Sequence, residues 1–124
     1  MTITAENVRG GLVQDVGGVT YTLVLRNREI ERFEDKHRGI FDLWEGLYRG
    51  GNMPTSKEVR DIVALAIVGG GKSDQEADQA ISGLGPDSLQ TLYAIAQNAL
   101  GAAFYPDVGE SAQKKSEAEN SQSD

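Results

Sequence analysis

The strongest pattern in the chain is a run of apolar residues at helical spacing within residues 58–81. Apolar side chains three and four positions apart share one face of a helix, so this segment predicts a buried helix on which the core forms. Gly69, Gly70 and Gly71 then end the helix, because a left-handed residue and a sharp reversal cost least without a Cβ. The apolar face consists of Val59, Ile62, Val63, Ala66 and Ile67.

Ser73 and Glu76 have the spacing of a capping box, which begins a second helix directly after the glycines. The sequence GKS at this point also matches the end of a nucleotide-binding phosphate loop. However, Ala66 replaces the first glycine of such a loop, and Thr55 with Glu58 caps the preceding run as a helix instead of the required strand. A tight helical corner is therefore the favoured interpretation, and a small nucleotide-binding enzyme that uses the GGGKS loop is the less favoured one.

Residues 12–25 carry the only strong strand pattern, in which Gly17 and Gly18 join two β-rich runs. Because a loop of two glycines tolerates the positive φ of a primed turn, the pattern predicts an antiparallel hairpin. A hairpin this small must either dock on the helices or gain strands from a neighbouring subunit. The alternation in its second strand predicts a packing face of Val19, Tyr21, Leu23 and Leu25.

Two short helices are predicted between the hairpin and Pro54. Asn27 is the expected N-cap of the first helix, and Glu29 is placed on its exposed side with Arg32 and Lys36. The predicted buried faces are Ile30, Phe33 and His37 in the first helix and Ile40, Leu43, Trp44 and Leu47 in the second.

A final, alanine-rich helix is predicted from Pro86 to Phe104, and it should pack against the face formed by residues 59–67. Residues 106–124 are almost without apolar side chains and carry two lysines against five acids, a charge of −3. They are predicted to form a disordered acidic tail. The sequence therefore predicts an α+β, mostly α fold, with an N-terminal hairpin packed on four to five short helices. Residues 1–105 form its single compact domain.

Composition narrows the class of protein. The chain has 124 residues, of which 39% are hydrophobic, and this is enough for one modest core. A net charge of −7 argues against a nucleic-acid partner, because a phosphate-binding surface concentrates Lys and Arg. Without cysteine and with one histidine, the chain offers no thiolate or histidine metal site. No segment has the pattern of a signal peptide or of a membrane span. We therefore expect a soluble, cytoplasmic protein without a metal, a cofactor or a membrane partner.

The sequence contains no recognisable set of catalytic residues, and an enzyme is not predicted. His37 has no Ser or Cys nucleophile nearby, so it is expected at a helix end or an interface. The carboxylates of the first helix are expected to be solvated and paired with its own basic residues. Trp44 and Tyr48 have the helical spacing typical of a core, but these residue types also anchor interfaces. With Phe104 and Tyr105 they are the candidate partner-binding residues.

Several segments, taken in their order along the sequence, resemble the small tail proteins of gene-transfer agents and related siphophages. This family is described as tail assembly chaperones or tail-tube-associated proteins. The resemblance spans roughly residues 9–104 and depends on the order and spacing of its parts. These are RGG before the hairpin, GGVTYTLVLRNREIERFED, a proline before DIVALAIVGGGKSDQEA, and finally AQNALGAAF.

The resemblance implies a role in tail morphogenesis in the bacterial host cytoplasm, without enzymatic residues. Such chaperones are thought to bind the long tape-measure protein until tube subunits enclose it. The implied partner is therefore the tape-measure protein, with the tail tube protein and self-association as further candidates. The alternative is a structural component of the tail tube, located in the virion tail. A tube subunit needs extensive β-structure to form closed rings, so the single predicted hairpin favours the chaperone.

Overall fold

The computed structural model describes residues 9–107, in which an antiparallel hairpin precedes five α-helices. This confirms the predicted α+β, mostly α class. Residues 1–8, and the predicted tail from residue 108 onwards, lie outside the described residues. The strands are β1 (Gly11–Val16) and β2 (Val19–Val24), and the helices are α1 (Asn27–Lys36), α2 (Ile40–Tyr48), α3 (Ser56–Gly69), α4 (Asp74–Ser82) and α5 (Leu89–Phe104), with a 3-10 turn at Pro86–Ser88.

Helix α3 lies at the centre of the fold and contacts α1, α4, α5 and β2. Its predicted apolar face is buried throughout, from Val59 to Ile67. The predicted packing of α5 against this face is also confirmed. Thr55 begins the helix with the expected capping box: its Oγ1 accepts from the Glu58 N–H, and the Glu58 carboxylate accepts from the Thr55 N–H.

The hairpin forms as predicted, with Val16 opposite Val19 across a two-residue turn. Gly17 and Gly18 have φ values of 62° and 89°. A primed turn requires positive φ at both positions, and its twist matches that of the flanking strands. The two glycines therefore set the register of the whole hairpin.

The predicted packing face of β2 is correct at one end and wrong at the other. Leu23 and Leu25 are buried and Tyr21 is half-buried, as expected. Val19 is 52% exposed, because it lies next to the turn at the tip of the hairpin. Val24, assigned to the opposite face, is buried because the C-terminal end of α3 packs against it.

The end of α3 contacts the backbone of β2 through two glycines. A Cβ added to Gly69 would overlap the carbonyl oxygen of Val24, and one added to Gly70 would overlap that of Thr22. Gly69 is helical, and Gly70 is a helix C-cap with φ −80°. These two glycines are therefore required by the close approach of helix and strand, and the expected left-handed conformation is absent from both.

Gly71 supplies the left-handed residue of the corner, with φ 119°. Its N–H donates to the Val68 carbonyl at 2.9 Å, and the Lys72 N–H donates to the Ile67 carbonyl at 3.3 Å. This pair of bonds is the Schellman arrangement that satisfies the last carbonyls of a helix. The predicted helical corner is confirmed, with positive φ at only one of its three glycines.

Helix α1 differs from the prediction at its first turn. Arg26, and not Asn27, is the N-cap. Glu29 is fully buried, so its assignment to an exposed face is wrong, although it does pair with a basic residue of its own helix. Its carboxylate accepts from the Arg26 N–H and from Arg28 Nε, both at 3.1 Å, and it lies against Gly69 of α3. A negative group is favoured here by the unpaired N–H groups at the helix N-terminus.

Arg38, between α1 and α2, holds the first turn of α3 in place. It donates to both carboxylate oxygens of Glu58 at 2.8 and 2.9 Å, and to the carbonyls of Asn52 and Met53 at 2.8 and 3.0 Å. The Glu58 side chain is only 8% exposed. Burial alone would raise the pKa of Glu58, but the hydrogen bonds from Arg38 and from the Thr55 N–H lower this pKa overall.

Replacing Gly70 with alanine should destabilise the fold, because a main-chain oxygen of β2 has no rotamer by which to move aside. Overpacking costs about 1–3 kcal/mol, so we expect urea denaturation to show a loss of about 2 kcal/mol or more. Gly83→Ala is the matched control. Gly83 is also a helix C-cap with φ −76°, and the nearest atom to its added Cβ lies at 3.6 Å. Equal stability of the two variants would contradict this account of the contact.

The Arg38–Glu58 pair predicts a specific loss of stability in acid. Because the folded pKa of Glu58 is lowered, its contribution is present above the unfolded pKa and is lost as pH falls through the folded pKa. At neutral pH, Glu58→Gln should cost about 3 kcal/mol by leaving Arg38 uncompensated, and its difference from wild type should shrink below about pH 4. Asp42→Asn is the control, because this exposed carboxylate lies 3.5 Å from Arg38 and should matter little. Parallel stability profiles of wild type and Glu58→Gln would show that the pair does not act in this way.

Candidate functional site

Five aromatic side chains from α2 and from the end of α5 form one cluster, which we call the aromatic surface. Trp44 is at its centre, with ring centroids 4.3 Å from Tyr48, 4.8 Å from Phe104 and 5.7 Å from Tyr105. Phe41 lies 5.9 Å from Phe104. These separations are typical of interacting aromatic pairs. The fold therefore brings together all four aromatic residues singled out in the sequence and adds Phe41, which sequence reasoning missed.

The spacing of residues in α2 explains how the surface forms. Phe41, Trp44 and Tyr48 are three and four positions apart and therefore share one face of the helix. The neighbouring face, which includes Leu43 and Leu47, is buried in the core. Helix α2 packs on α5, so the aromatic face lies beside the C-terminal end of α5. The aromatic spacing in α2 is the signal that would have identified Phe41.

The five rings differ in exposure. Phe41 is 75% exposed, Tyr105 54% and Tyr48 43%. Trp44 and Phe104 are half-buried and pack against the core. The cluster is thus partly core and partly accessible surface, with Trp44 as its base and three rings facing outwards.

Polar contacts between α2 and α5 fix the position of the surface. The Tyr48 hydroxyl donates to the Gln97 carbonyl and lies over Gly101, where an added Cβ would be 2.8 Å from the hydroxyl oxygen. Gln97 Nε2 and the Tyr93 hydroxyl both donate to the Leu47 carbonyl, at 2.6 and 3.3 Å. Burial raises the pKa of Tyr48 further above its ordinary value, at which the hydroxyl is already protonated in neutral solution. The packing of α2 on α5 and the position of the Tyr48 ring are therefore fixed by contacts within the chain.

Charged residues surround the aromatic surface. Glu45 of α2 pairs with Arg49 at 3.3 Å. Beyond Tyr105, the Asp107 carboxylate accepts from Arg9 at 2.7 Å, and this bond lowers the pKa of Asp107. Pro106 and Asp107, which the sequence places at the start of the tail, are helical. A polar rim around an apolar centre is the usual anatomy of a protein interface.

The GGGKS corner does not have the geometry of a phosphate loop. Helix α3 precedes it, where a phosphate loop has a strand. Such a loop binds phosphate through free backbone N–H groups, but those of residues 70–73 all donate within the chain. The acceptors are the carbonyls of Ala66, Ile67 and Val68 and the carboxylate of Glu76. The predicted capping box is thus confirmed, and it places the Glu76 carboxylate at the N-terminus of α4, where a phosphate would otherwise bind.

A concave region of 370 Å³ lies between α1, α3 and α4, apart from the aromatic surface. His37 closes one side, with Nε2 2.7 Å from Asp61, and its ring contacts Phe33 at 4.7 Å. Arg32 crosses to α4 and donates to both Asp74 oxygens at 3.0 and 3.2 Å, which lowers the pKa of Asp74. His37 is thus at a helix end, as predicted, and these pairs join the three helices.

No group of three or more His, Asp or Glu side chains within residues 9–107 is arranged to hold a metal ion. In the same part of the chain, no helix combines the length and apolar character needed to cross a membrane. A comparison of the sequence and fold with known protein families, curated proteins and solved structures finds no match. The resemblance to tail assembly proteins therefore stays a hypothesis.

Lys72→Ala tests the nucleotide-binding alternative. Because the N–H groups of the corner are already bonded, isothermal titration calorimetry should detect no ATP or GTP binding to the wild-type protein or the variant. Lys72 is exposed, so its replacement should change the free energy of unfolding by no more than about 0.5 kcal/mol. Nucleotide binding that disappears in the variant would restore the phosphate-loop interpretation.

Proposed function

We propose that this protein is a tail assembly chaperone of a phage or gene-transfer agent that binds the tape-measure protein through the aromatic surface. The observation that carries the proposal is the convergence of Trp44, Tyr48, Phe104 and Tyr105 on one partly exposed cluster. The two pairs, one on α2 and one at the end of α5, come from distant parts of the sequence, and all four residues are candidates for anchoring a partner. The sequence resemblance supplies the biological context.

An amphipathic helix is the partner element that best fits this surface. The outward rings form a ridge along α2 that continues to the end of α5, so apolar residues at helical spacing in a partner can lie along it. Trp and Tyr are enriched among the residues that dominate binding energy, and their rings lose little conformational entropy on contact. Because polar contacts hold the Tyr48 ring and join α2 to α5, part of the surface is already ordered before a partner binds.

The amount of β-structure supports a chaperone over a tube subunit. Within residues 9–107 there are two strands, and they form a single hairpin. A closed ring of tube subunits needs continuous sheet between neighbours, whereas a reversible cover for a helical partner needs only a helical surface. The tail-structural alternative is therefore retained as an outcome of the test.

Co-expression with the tape-measure protein of the same gene cluster tests the proposal. The tape-measure protein should be soluble only with the wild-type chain present. Phe41→Ser combined with Tyr105→Ser should reduce co-purification about tenfold or more, because each anchor contributes on the order of 1 kcal/mol. Both side chains are largely exposed, so the melting temperature should change little.

Val19→Ser is the matched control, because it also removes an exposed apolar side chain. Val19 lies away from the aromatic surface. It follows the hairpin turn, which contacts Leu84 just before α5 begins, whereas Phe104 lies at the opposite end of α5. The control should co-purify like the wild type. The chaperone assignment fails if the tape-measure protein is equally soluble alone. Recovery of this protein as a stoichiometric component of finished tails would instead favour the tail-tube alternative.

A further inference from the structure

The two outer edges of the hairpin have different environments. In a hairpin closed by a two-residue turn, Val16 and Val19 exchange backbone hydrogen bonds, as does every second pair from them, and the residues between these pairs turn their N–H and C=O outwards. On β2 these outward residues include Thr22 and Val24. Their carbonyl oxygens are the ones that contact the glycines of α3, in agreement with this pattern. The outer edge of β2 is therefore covered at Thr22 and Val24.

Among residues 9–107, no comparable contact covers Val13 on the outer edge of β1. The same alternation turns outwards the backbone groups of Gly11, Val13 and Asp15. Within residues 9–107, Val13 makes no backbone hydrogen bond outside the hairpin, and the Asp15 carbonyl accepts from the Gln14 side chain. Val13 is 42% exposed. Proteins usually protect an edge strand with a bulge, a proline or a charged residue such as lysine. Strand β1 has no bulge, proline or lysine and pairs with β2 in regular register.

We infer that β1 is a dimer interface, at which it pairs antiparallel with β1 of a second copy about a twofold axis at Val13. In this register Val13 faces the second copy's Val13, and the two residues exchange backbone hydrogen bonds. Gly11 faces the second copy's Asp15, so the carboxylates do not oppose one another. A valine pair is a favourable cross-strand contact, and this register pairs every residue from Gly11 to Asp15.

The geometry also limits the assembly to two copies. Pairing at β1 converts a marginal two-stranded sheet into one of four strands, in which the two β2 strands are the new edges. Each β2 edge is already covered at Thr22 and Val24 by the glycines of its own α3. A further strand cannot pair along this part of the new edge, so the product is a closed dimer instead of a fibre.

Disulfide trapping is a direct test, because the chain contains no cysteine. In the full chain, Val13→Cys places two thiols at an opposed pair with a Cα separation of about 5.5 Å, within the range of a disulfide. Asp15→Cys on the same edge is the control, because its two copies would be about 13 Å apart, four residues along the strands. Under mild oxidation, Val13→Cys should form the covalent dimer about tenfold faster or more.

The second test measures the oligomeric state by light scattering on variants without cysteine. The wild type and Val19→Lys should be dimers at high concentration, whereas Val13→Lys should be monomeric because two ammonium groups would face each other. Both variants change the net charge equally. A wild type that is monomeric at every concentration would overturn the inference, as would trapping of Asp15→Cys as fast as Val13→Cys. Dimerisation only after deletion of residues 1–8 would show that this segment occupies the edge, and would also overturn it.

Discussion

The contact between α3 and β2 is the constraint on which the arrangement of this fold depends. At Gly69 and Gly70 only a hydrogen atom fits between the helix backbone and the carbonyl oxygens of Val24 and Thr22. Weak Cα–H···O contacts of this kind add modest energy, but they fix main chain against main chain, where no rotamer change can relieve a misfit. Since α3 also contacts α1, α4 and α5, this contact positions the hairpin against the helical core, and contacts between β1 and α5 support it.

A short series of contacts that begins at α3 determines where the aromatic surface lies. Arg38 and Glu58 fix the first turn of α3, and the glycines fix its last. Helix α5 packs along the face between these two ends, and α2 is held on α5 by the donors of Tyr93 and Gln97. In the proposed complex, rings supported in this way need little ordering, so less of the binding energy is lost.

Local signals made most of this fold predictable. Helical periodicity, two capping boxes and a diglycine turn each act within a few residues, and all were identified correctly. What could not be predicted depends on contacts between distant segments. Glu29 is buried because the end of α3 covers the first turn of α1. The sequence shows where a glycine stands, but not whether the position requires a positive φ or a close approach of another backbone. The spacing in α2 places Phe41 on the same face as Trp44 and Tyr48, but its contact with Phe104 depends on where α5 ends.

The edge of β1 and the aromatic surface lie near the same end of α5. An added Cβ at Gly10, just before β1, would be 3.6 Å from the Ala102 carbonyl, and Phe104 follows two residues later. If both proposals hold, one dimer presents two aromatic surfaces to a long helical partner. The second contact is then intramolecular and raises the overall affinity without any new contact. Each surface can remain small enough for its own contact to break easily, which a chaperone needs when the tube subunits replace it.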